Sequence, residues 1–551
     1  MVVMDRTEYI RLLSEASIAD TSKFIPVSNE RPNTKGRPPK HYHPLLQKEK
    51  HLESVVRRIL PKEVADKVCS KGSRLAHLYG LPKTHKPQLA MRPILSAQGT
   101  YNYALAKWLD EKLKPLSLDQ YTISDIFSFS EDLRNTSLNE SDILVSYDVS
   151  SLFTNVPLDE MIHILVEKAF KNNWFNVTHK LNIRNSDLVE LLQVATKSQL
   201  FQFDGRLYEQ VDGVAMGSPL GPLVANAFLC SIEEQLELEN KLPTFYRRYV
   251  DDTLSSVPDI QSATTFLATL NECHPSIHFT MEIADSNKLP FLGMMIEKKG
   301  WELVTSVYRK PTNNGLLLHF QSHVDMRYKK SLIRTMLHRA YRLSSSWELV
   351  VRECDYLKGM FFKLGYPDRL VDATVTSFLN SVCVEKDQVQ KNNAMSEGNI
   401  VRVILPFKDQ RSADFVRKQL KALGNNIGNP IQTVFTSPKI GEQLRIQERK
   451  PPVVSRQCVV YQFKCDLCDT DYIGYTTRHL HQRIEEHRAT AVGAHVKGCH
   501  GISNPELLKQ FSVLKKCQGK LDCLIREMLF IREKKPKLNT QSDSIRAKVF
   551  V

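Results

Sequence analysis

The 551-residue chain carries 75 Lys and Arg against 61 Asp and Glu, a net charge of +14, and 42% of its residues are hydrophobic. Such a length suits several domains with true cores, at roughly 100–200 residues apiece, and the basic surplus favours a polyanionic partner. No apolar run approaches the roughly 18 residues that a bilayer span needs, residues 1–10 lack the apolar core of a signal peptide, and eleven scattered cysteines make no secreted disulfide framework. Membrane-spanning, exported and disulfide-scaffold classes fall away, and an intracellular protein is expected. Residues 1–73 read as a basic extension, with nine Lys/Arg against two acids over 31–62 and a helix around 52–60. Within it, Lys35-Gly36-Arg37-Pro38-Pro39-Lys40 suits nuclear import, as does Lys534-Lys535-Pro536-Lys537; the first also reads as a minor-groove hook or as a plain surface arm.

Further along, Ile143-Leu144-Val145-Ser146-Tyr147-Asp148-Val149 is a short buried-strand pattern that ends on a carboxylate, and Phe153 follows five residues after Asp148. The stretch from Gln210 to Pro222 holds Gly213, Gly217 and Gly221, where backbone can approach a ligand closely, and its prolines start a helix over about 223–239. Tyr249-Val250-Asp251-Asp252 then sits between the β-prone flanks Phe245-Tyr246 and Thr253-Leu254-Ser255-Ser256-Val257. Adjacent carboxylates at a hairpin tip repel each other and stay charged together when cations bridge them. With Asp148 they form a cradle for paired divalent ions, which clamp the attacking and leaving oxygens in phosphoryl transfer. Residues 327–342 contain six basic residues and no acid. Ile333, Met336, Ala340 and Leu343 recur there at helical spacing, with Arg327, Lys330 and Arg334 on the outer side, the form of a helix lying along a nucleic-acid backbone. A polar connector at 385–393 precedes an alternation of strand, helix, strand and helix at 400–405, 412–423, 431–435 and 440–446.

In order and spacing, the segments around Asp148, Gly217 and Asp251 resemble motifs A, B and C of reverse transcriptases. Leu78-Tyr79-Gly80-Leu81-Pro82-Lys83-Thr84-His85-Lys86 and Arg92-Pro93-Ile94 resemble the fingers motifs of Penelope-like retroelements and of telomerase reverse transcriptase. Leu289-Pro290-Phe291-Leu292-Gly293 and Val307-Tyr308-Arg309-Lys310-Pro311-Thr312 are similar to the stretch between palm and thumb in Penelope-like elements. The resemblance implies that Asp148 and Asp251 carry two Mg2+ or Mn2+ ions with Asp252 in support. It also implies nucleotide binding by Lys83, Arg92, Phe153, Gln210 and Gly217, the two cations holding the triphosphate. Phe153 falls where the family places its steric gate against a ribose 2′-hydroxyl; a core aromatic on a palm helix is the other reading.

From about residue 453 a second chemistry appears. Val459-Val460-Tyr461 and Tyr472-Ile473-Gly474 resemble the two halves of the GIY-YIG nuclease signature, with Val459 where the family name has glycine. Arg483, Glu486 and His487 share a helical face, and Arg526-Glu527-Met528-Leu529 and Lys537-Leu538-Asn539 match later motifs of that family. By position, Tyr461 and Tyr472 would activate water and contact the scissile phosphate, and Arg483, or else Arg478, would stabilise the transition state. His487 would join them as a catalytic residue, Glu527 would bind Mg2+ or Mn2+ and Asn539 would brace the core. Cys465 and Cys468, with His495 and His500, have the ligand types and spacings of a tetrahedral structural zinc site; Cys499 is the other choice for the fourth ligand. A redox role for the CxxC pair is disfavoured because the thioredoxin-type βαβ context is missing.

The expected fold is multidomain α+β. A right-hand polymerase would have fingers and palm at 74–315 and a helical thumb at 316–390. A small α/β linker would follow at 391–452, then a GIY-YIG α/β nuclease with its zinc site at 453–551. Resemblance to Penelope-like elements implies RNA-directed DNA polymerase and DNA-nicking activities, used in the nucleus for target-primed synthesis. Element RNA, nicked or target duplex DNA, an RNA–DNA hybrid and deoxynucleoside triphosphates would be its partners, with no membrane; the oligomeric state stays open. The telomerase likeness raises synthesis at chromosome ends as an alternative. A non-catalytic nucleic-acid-binding protein is the third reading, against which stand the intact Asp148, Asp251, Asp252, Arg483 and Glu527.

Overall fold

The structure, a computed structural model, describes residues 4–28, 42–70, 72–83, 89–197, 199–385, 400–441, 450–500 and 510–539, without the side chains of 383–385, 499 and 500. Two compact units divide these residues. One comprises Gln120–Ser150 and Leu236–Ile446, the other Val2–Asp119, Ser151–Gln235 and Gln447–Val551.

The first unit is built on a four-stranded antiparallel sheet in the order Phe245–Tyr249, Asp252–Val257, Ile143–Val149, Phe279–Ile283. The two central strands are buried at most positions, and the polar residues buried in Asp252–Val257 are tied to the sheet, Thr253 donating through its hydroxyl to Tyr147 O at 2.8 Å. Helix Ile260–Glu272 starts on Asp259, whose carboxylate accepts from Ser262 N at 2.7 Å. It packs on the sheet through Tyr147, which donates to Ala263 O at 3.2 Å and meets Phe266 edge-on. A three-stranded antiparallel sheet (Lys288–Phe291, Met294–Lys299, Glu302–Val307) shares one core with it, including Leu144, Leu254, Phe291, Met294 and Ile296.

Three helices follow, Met326–Leu343, Trp347–Lys363 and Asp368–Glu385, the first two capped by Asp325 and Ser346. Their core joins Ile333, Leu337, Ala340, Val350, Phe361, Val375 and Phe378. Arg327, Lys330 and Arg334 are exposed, as their helical phase requires, while Met336 is only partly buried and Leu337 takes the inner position. The strand–helix–strand pattern at 400–441 is realised as Val401–Pro406, Gln410–Asn426 and Ile431–Thr436, with the strands parallel. Nearly all of the helix expected at 440–446 lies outside the described residues, as do most of the polar connector and Lys35–Lys40.

In the second unit, part of the 1–73 stretch read as a basic extension enters a sheet. Phe24–Val27 is the edge strand of a five-stranded sheet, paired antiparallel with Arg206–Gln210 and followed in order by Gln199–Phe203, Ala76–Lys83 and Ala90–Ser96. Helix Arg6–Glu15 places Leu12 and Leu13 in that sheet's core with Phe201. A pairing across some 180 residues of chain leaves no local trace in sequence. The helix expected at 52–60 is the second half of Pro44–Ile59.

The C-terminal module of the same unit has a three-stranded antiparallel sheet, Asp471–Thr476, Val459–Lys464, Phe511–Lys516, with helices Leu480–Glu486, Ala491–His500 and Lys520–Lys534. Alternation along the central strand sends Val459, Tyr461 and Phe463 into one core and Val460 into the other. The N-terminal residues of the unit meet this module through Glu49, whose Oε1 accepts from Ser73 N and lies 3.0 Å from His479 Nε2. No helix among the described residues is long and apolar enough to cross a membrane.

Candidate active sites

The first site lies on the four-stranded sheet. Register pairs Asp148 with Asp252 and Tyr249 with Asp252, so the hairpin loop is Val250-Asp251. Two residues are the tightest hairpin loop in common use, and its first position usually demands φ > 0. Val250 adopts φ +57°, costly for a β-branched side chain. Buried Arg248 holds the turn by donating to Val250 O at 3.2 Å, and Val149 N donates to Asp251 O at 3.3 Å. Cross-strand neighbours on one face lie within about 5.5 Å at Cβ, so three carboxylates crowd together. Burial first, then Asp251 and Asp148, push Asp252 up to about 6, while Lys310 pulls it down. The Asp252 side chain still touches solvent, so the shift is that of a recessed cleft rather than a sealed core. A cluster whose own repulsion lifts a pKa is the donor set that hard divalent cations relieve, and Asp148, Asp251 and Asp252 fit Mg2+ or Mn2+.

Beside this site the chain turns again at Leu292-Gly293, φ +47° and +75°, between Lys288–Phe291 and Met294–Lys299. Arg339 of the Met326–Leu343 helix donates to Gly293 O at 3.0 Å, and a Cβ at Gly293 would lie 2.5 Å from its guanidinium. Arg309 is held by both Glu353 oxygens and lies 3.9 Å from the Tyr356 ring centroid, tying the Arg309-Lys310 segment to Trp347–Lys363. A cavity of about 280 Å³ opens nearby, lined by Tyr249, Leu292, Arg339 and Leu343 among others.

The residues to which nucleotide binding was assigned lie in the second unit. Lys83 and Arg92 project from one face of the Ala76–Lys83/Ala90–Ser96 hairpin, since Leu81 pairs with Arg92 and Lys83 with Ala90. His85 and Lys86 lie outside the described residues. Phe153, on the short helix Leu152–Asn155, is half-buried, and its carbonyl accepts from Val214 N at 2.8 Å. Its ring would be 3.6 Å from a Cβ at Gly221. The glycine loop is wedged tightly: at Gly213, φ +69°, a Cβ would meet Thr154 O at 2.8 Å, and at Gly217, φ +115°, Leu95 O at 2.6 Å. Gln210 is buried and donates to Asp212 O at 3.1 Å, so it shapes this loop from within.

A second cluster forms in the C-terminal module. Tyr461 pairs with Gly474, where a Cβ would lie 2.7 Å from the Tyr461 hydroxyl and 2.8 Å from the Tyr472 ring. Only glycine lets both tyrosines close over that strand. The Tyr461 hydroxyl lies 2.8 Å from His487 Nε2 and accepts from Arg483 Nε at 3.2 Å. Arg478 instead pairs with Glu486 at 2.6 Å, so the arginine that meets the tyrosine is Arg483. Thr490 donates to His487 O at 3.1 Å, which leaves its oxygen to accept from His487 Nδ1 at 2.8 Å. That network assigns the proton to Nδ1 and makes Nε2 the acceptor of the tyrosine proton. Burial, reinforced by Arg483, holds His487 down at about 4, so it is neutral at physiological pH. Burial also raises both tyrosines. Glu527, on Lys520–Lys534, is pushed up to about 7 by burial against a backbone hydrogen bond from Tyr475 and the field of Arg483. Asn539 brackets the edge strand, accepting from Ile473 N at 2.9 Å and donating to Ile473 O at 2.8 Å.

In the same module Cys465, Cys468 and His495 bring one donor atom each within 4.8 Å of one another, and Cys468 Sγ lies 3.4 Å from His495 Nε2. Two thiols and an imidazole at that spacing fit tetrahedral zinc, whose ligands sit about 3.5–3.8 Å apart for bonds of 2.0–2.3 Å. The fourth ligand, His500 or Cys499, falls outside the described side chains. Sequence reading missed Arg248, Lys310 as an electrostatic partner of Asp252, and Thr490. Arg248 follows another arginine in a strand and reads as solvent-facing, and a threonine three residues after a histidine carries no signal.

Residues 83–286 match the reverse transcriptase (RNA-dependent DNA polymerase) family, and 316–376 match the animal helix-turn-helix domain. No curated protein matches the chain. Similar solved structures include telomerase from Candida albicans in complex with a TWJ fragment of telomeric RNA, at 12% identity and TM-score 0.34 over 61% of this chain and 66% of that one. Apo telomerase from Candida tropicalis is similar at 10% identity and TM-score 0.38, over 69% of this chain and 64% of its own. The chain thus spans just under two thirds of the length of these structures. Residues 83–286, with Asp148, Asp251 and Asp252 among them, are a reverse transcriptase domain.

Proposed function

We propose that this protein is the polymerase–nuclease of a Penelope-like retroelement, an RNA-directed DNA polymerase joined to a GIY-YIG endonuclease. The observation that carries the nuclease half is the meeting of Tyr461, Tyr472, Arg483, His487 and Glu527 around Gly474, in a module outside the reverse transcriptase domain. Nicking of duplex DNA would free a 3′-hydroxyl, which the polymerase extends on element RNA in the nucleus.

Asp148, Asp251 and Asp252 would hold Mg2+ or Mn2+ in the polymerase, and Glu527 one such ion in the nuclease, with phosphate oxygens completing its sphere. Bound ions of this kind acidify the attacking hydroxyl or water and neutralise the charge of the leaving group. Lys83 and Arg92 offer cations on one hairpin face for the triphosphate of the incoming nucleotide. In the nuclease, Tyr461 rests as a neutral phenol. Its proton would pass to His487 Nε2 as its oxygen takes one from the attacking water, Thr490 keeping the imidazole in the accepting tautomer. In the same step the P–O3′ bond would break and the leaving 3′-oxygen take a proton from solvent. Arg483, which donates to the tyrosine oxygen, would stabilise the negative charge that gathers on the phosphoryl group.

Asp251→Asn should abolish primer extension on an RNA template while metal-dependent nicking of duplex DNA persists. Glu527→Ala should abolish nicking while extension from a supplied 3′-end persists. Nicking that survives Glu527→Ala unchanged defeats the nuclease half; extension that survives Asp251→Asn defeats the polymerase half.

A further inference from the structure

Among the described residues, the strand–helix–strand module at 400–441 is secured on one side only. Tyr328 donates to Phe435 O at 3.0 Å, Met326 N donates to Gln410 Oε1 at 2.8 Å, and Arg417 reaches the Asp325 carboxylate. Those bonds hold the second strand and the helix against Met326–Leu343. On the far side, among the described residues, no strand pairs with the outer edge of Val401–Pro406. Ile400, Val401 and Ile404 are exposed there, Ile404 at 68%. Parallel strands are ordinarily covered on both faces inside larger sheets, and a two-stranded sheet is marginal in water.

The hydrogen-bond pattern shows what that edge offers. Val401 N donates to Pro430 O at 3.0 Å and Phe407 N to Thr436 O at 2.9 Å, so the odd-numbered residues of the strand bond inward. In a parallel ladder both polar groups of a residue point to the same side. The N–H and C=O of Arg402 and Ile404 therefore face outward, and Pro406, which lacks an N–H, ends the edge.

We propose that this edge pairs with the same edge of a second copy of the chain, antiparallel, about a two-fold axis at Val403. In that register Arg402 lies opposite the partner's Ile404, and their outward groups exchange both backbone bonds on each side of the axis. The two open edges vanish into one four-stranded sheet, and each copy presents the same patch to the other, as a closed dimer requires. Arg402 lies directly opposite an isoleucine and only diagonal to the other arginine, and its Nε is drawn along its own sheet, donating to Gln432 Oε1 at 3.1 Å. Single-stranded nucleic acid is the poorer occupant. The uncovered face carries Arg402, Ile404, Gln432 and Val434 and no aromatic ring on which a base could stack.

Sedimentation equilibrium on the full-length protein reads the association directly. Ile404→Lys sets an ammonium opposite each arginine and should weaken the dimer on the order of tenfold, whereas Ile404→Glu sets a carboxylate there and should retain or tighten it. Both replace an exposed side chain, so the fold survives. Val403→Cys, directly opposite itself at a closely spaced pair, should give an intermolecular disulfide under mild oxidation. A chain that stays monomeric at roughly 100 µM overturns the proposal. Equal weakening by lysine and glutamate overturns it too, as does a Val403→Cys variant that forms no cross-link.

Discussion

Val250 is held at φ +57° by the pairing of its neighbours and by Arg248 beneath it. The tight turn fixes the directions of the Asp251 and Asp252 carboxylates, and burial, then repulsion from Asp251 and Asp148, lifts Asp252. Phe153 poses a different question, gate or core. Its ring is half-buried against Gly221, and its backbone, more than its ring, organises the glycine loop. Phe153→Ala should raise incorporation of ribonucleotides relative to deoxyribonucleotides roughly tenfold, as a steric discrimination of 1–2 kcal/mol implies. Steady-state incorporation ratios decide it, and an unchanged ratio with retained polymerase activity returns Phe153 to the core. Asp251, Arg483 and Glu527 were singled out in the sequence because the proposed chemistry restricts their type. Arg248 and Thr490 were not, since they act through position alone.

Among the elements, the C-terminal module depends on two devices that bring distant segments together. Cys465, Cys468 and His495 converge within it, and zinc there would couple metal binding to folding. Purified protein should hold close to one zinc per chain. Cys468→Ser should lower that content and reduce nicking while extension from a supplied end persists; elemental analysis with no zinc in a nuclease-active preparation rules the site out. The other device is the buried group formed by His43, Glu49 and His479. His43 caps Pro44–Ile59, its Nδ1 accepting from Leu45 N at 3.1 Å, and burial followed by His479 lowers it from 6.5 to about 4. Between those two values the unfolded chain binds a proton that the fold does not. Stability present above pH 6.5 is therefore lost as pH falls towards 4, by up to roughly 3 kcal/mol. His487 is shifted in the same direction. His43→Asn, which can still cap the helix, should lose about half as much melting temperature between pH 7.5 and 5 as the parent protein. Equal losses assign the acid sensitivity to other groups, among them His487 and His179, which burial also lowers.

For the whole molecule, the charge of +14 matters through its placement. Arg327, Lys330 and Arg334 are exposed along one helix, where they would neutralise phosphates without reading bases. Replacing all three with alanine should weaken binding to every nucleic-acid sequence alike and flatten the slope of log K against log salt by roughly 2–3. Anisotropy titrations over a salt series measure it, and an unaltered slope leaves these charges as solubilising ones.

Local patterns in the chain were enough to mark the candidate site residues, the helices over 326–385 and the alternation at 400–436, since side-chain chemistry and periodicity are written within a few residues of each other. Tertiary structure alone decided that Phe24–Val27 joins a sheet with Arg206–Gln210, and that Gly72 and Glu49 close against the C-terminal module. It also decided that Arg483, rather than Arg478, reaches Tyr461. Strand partners and buried polar pairs are chosen by the free energy of packing segments far apart in sequence, and no local window of residues carries that information.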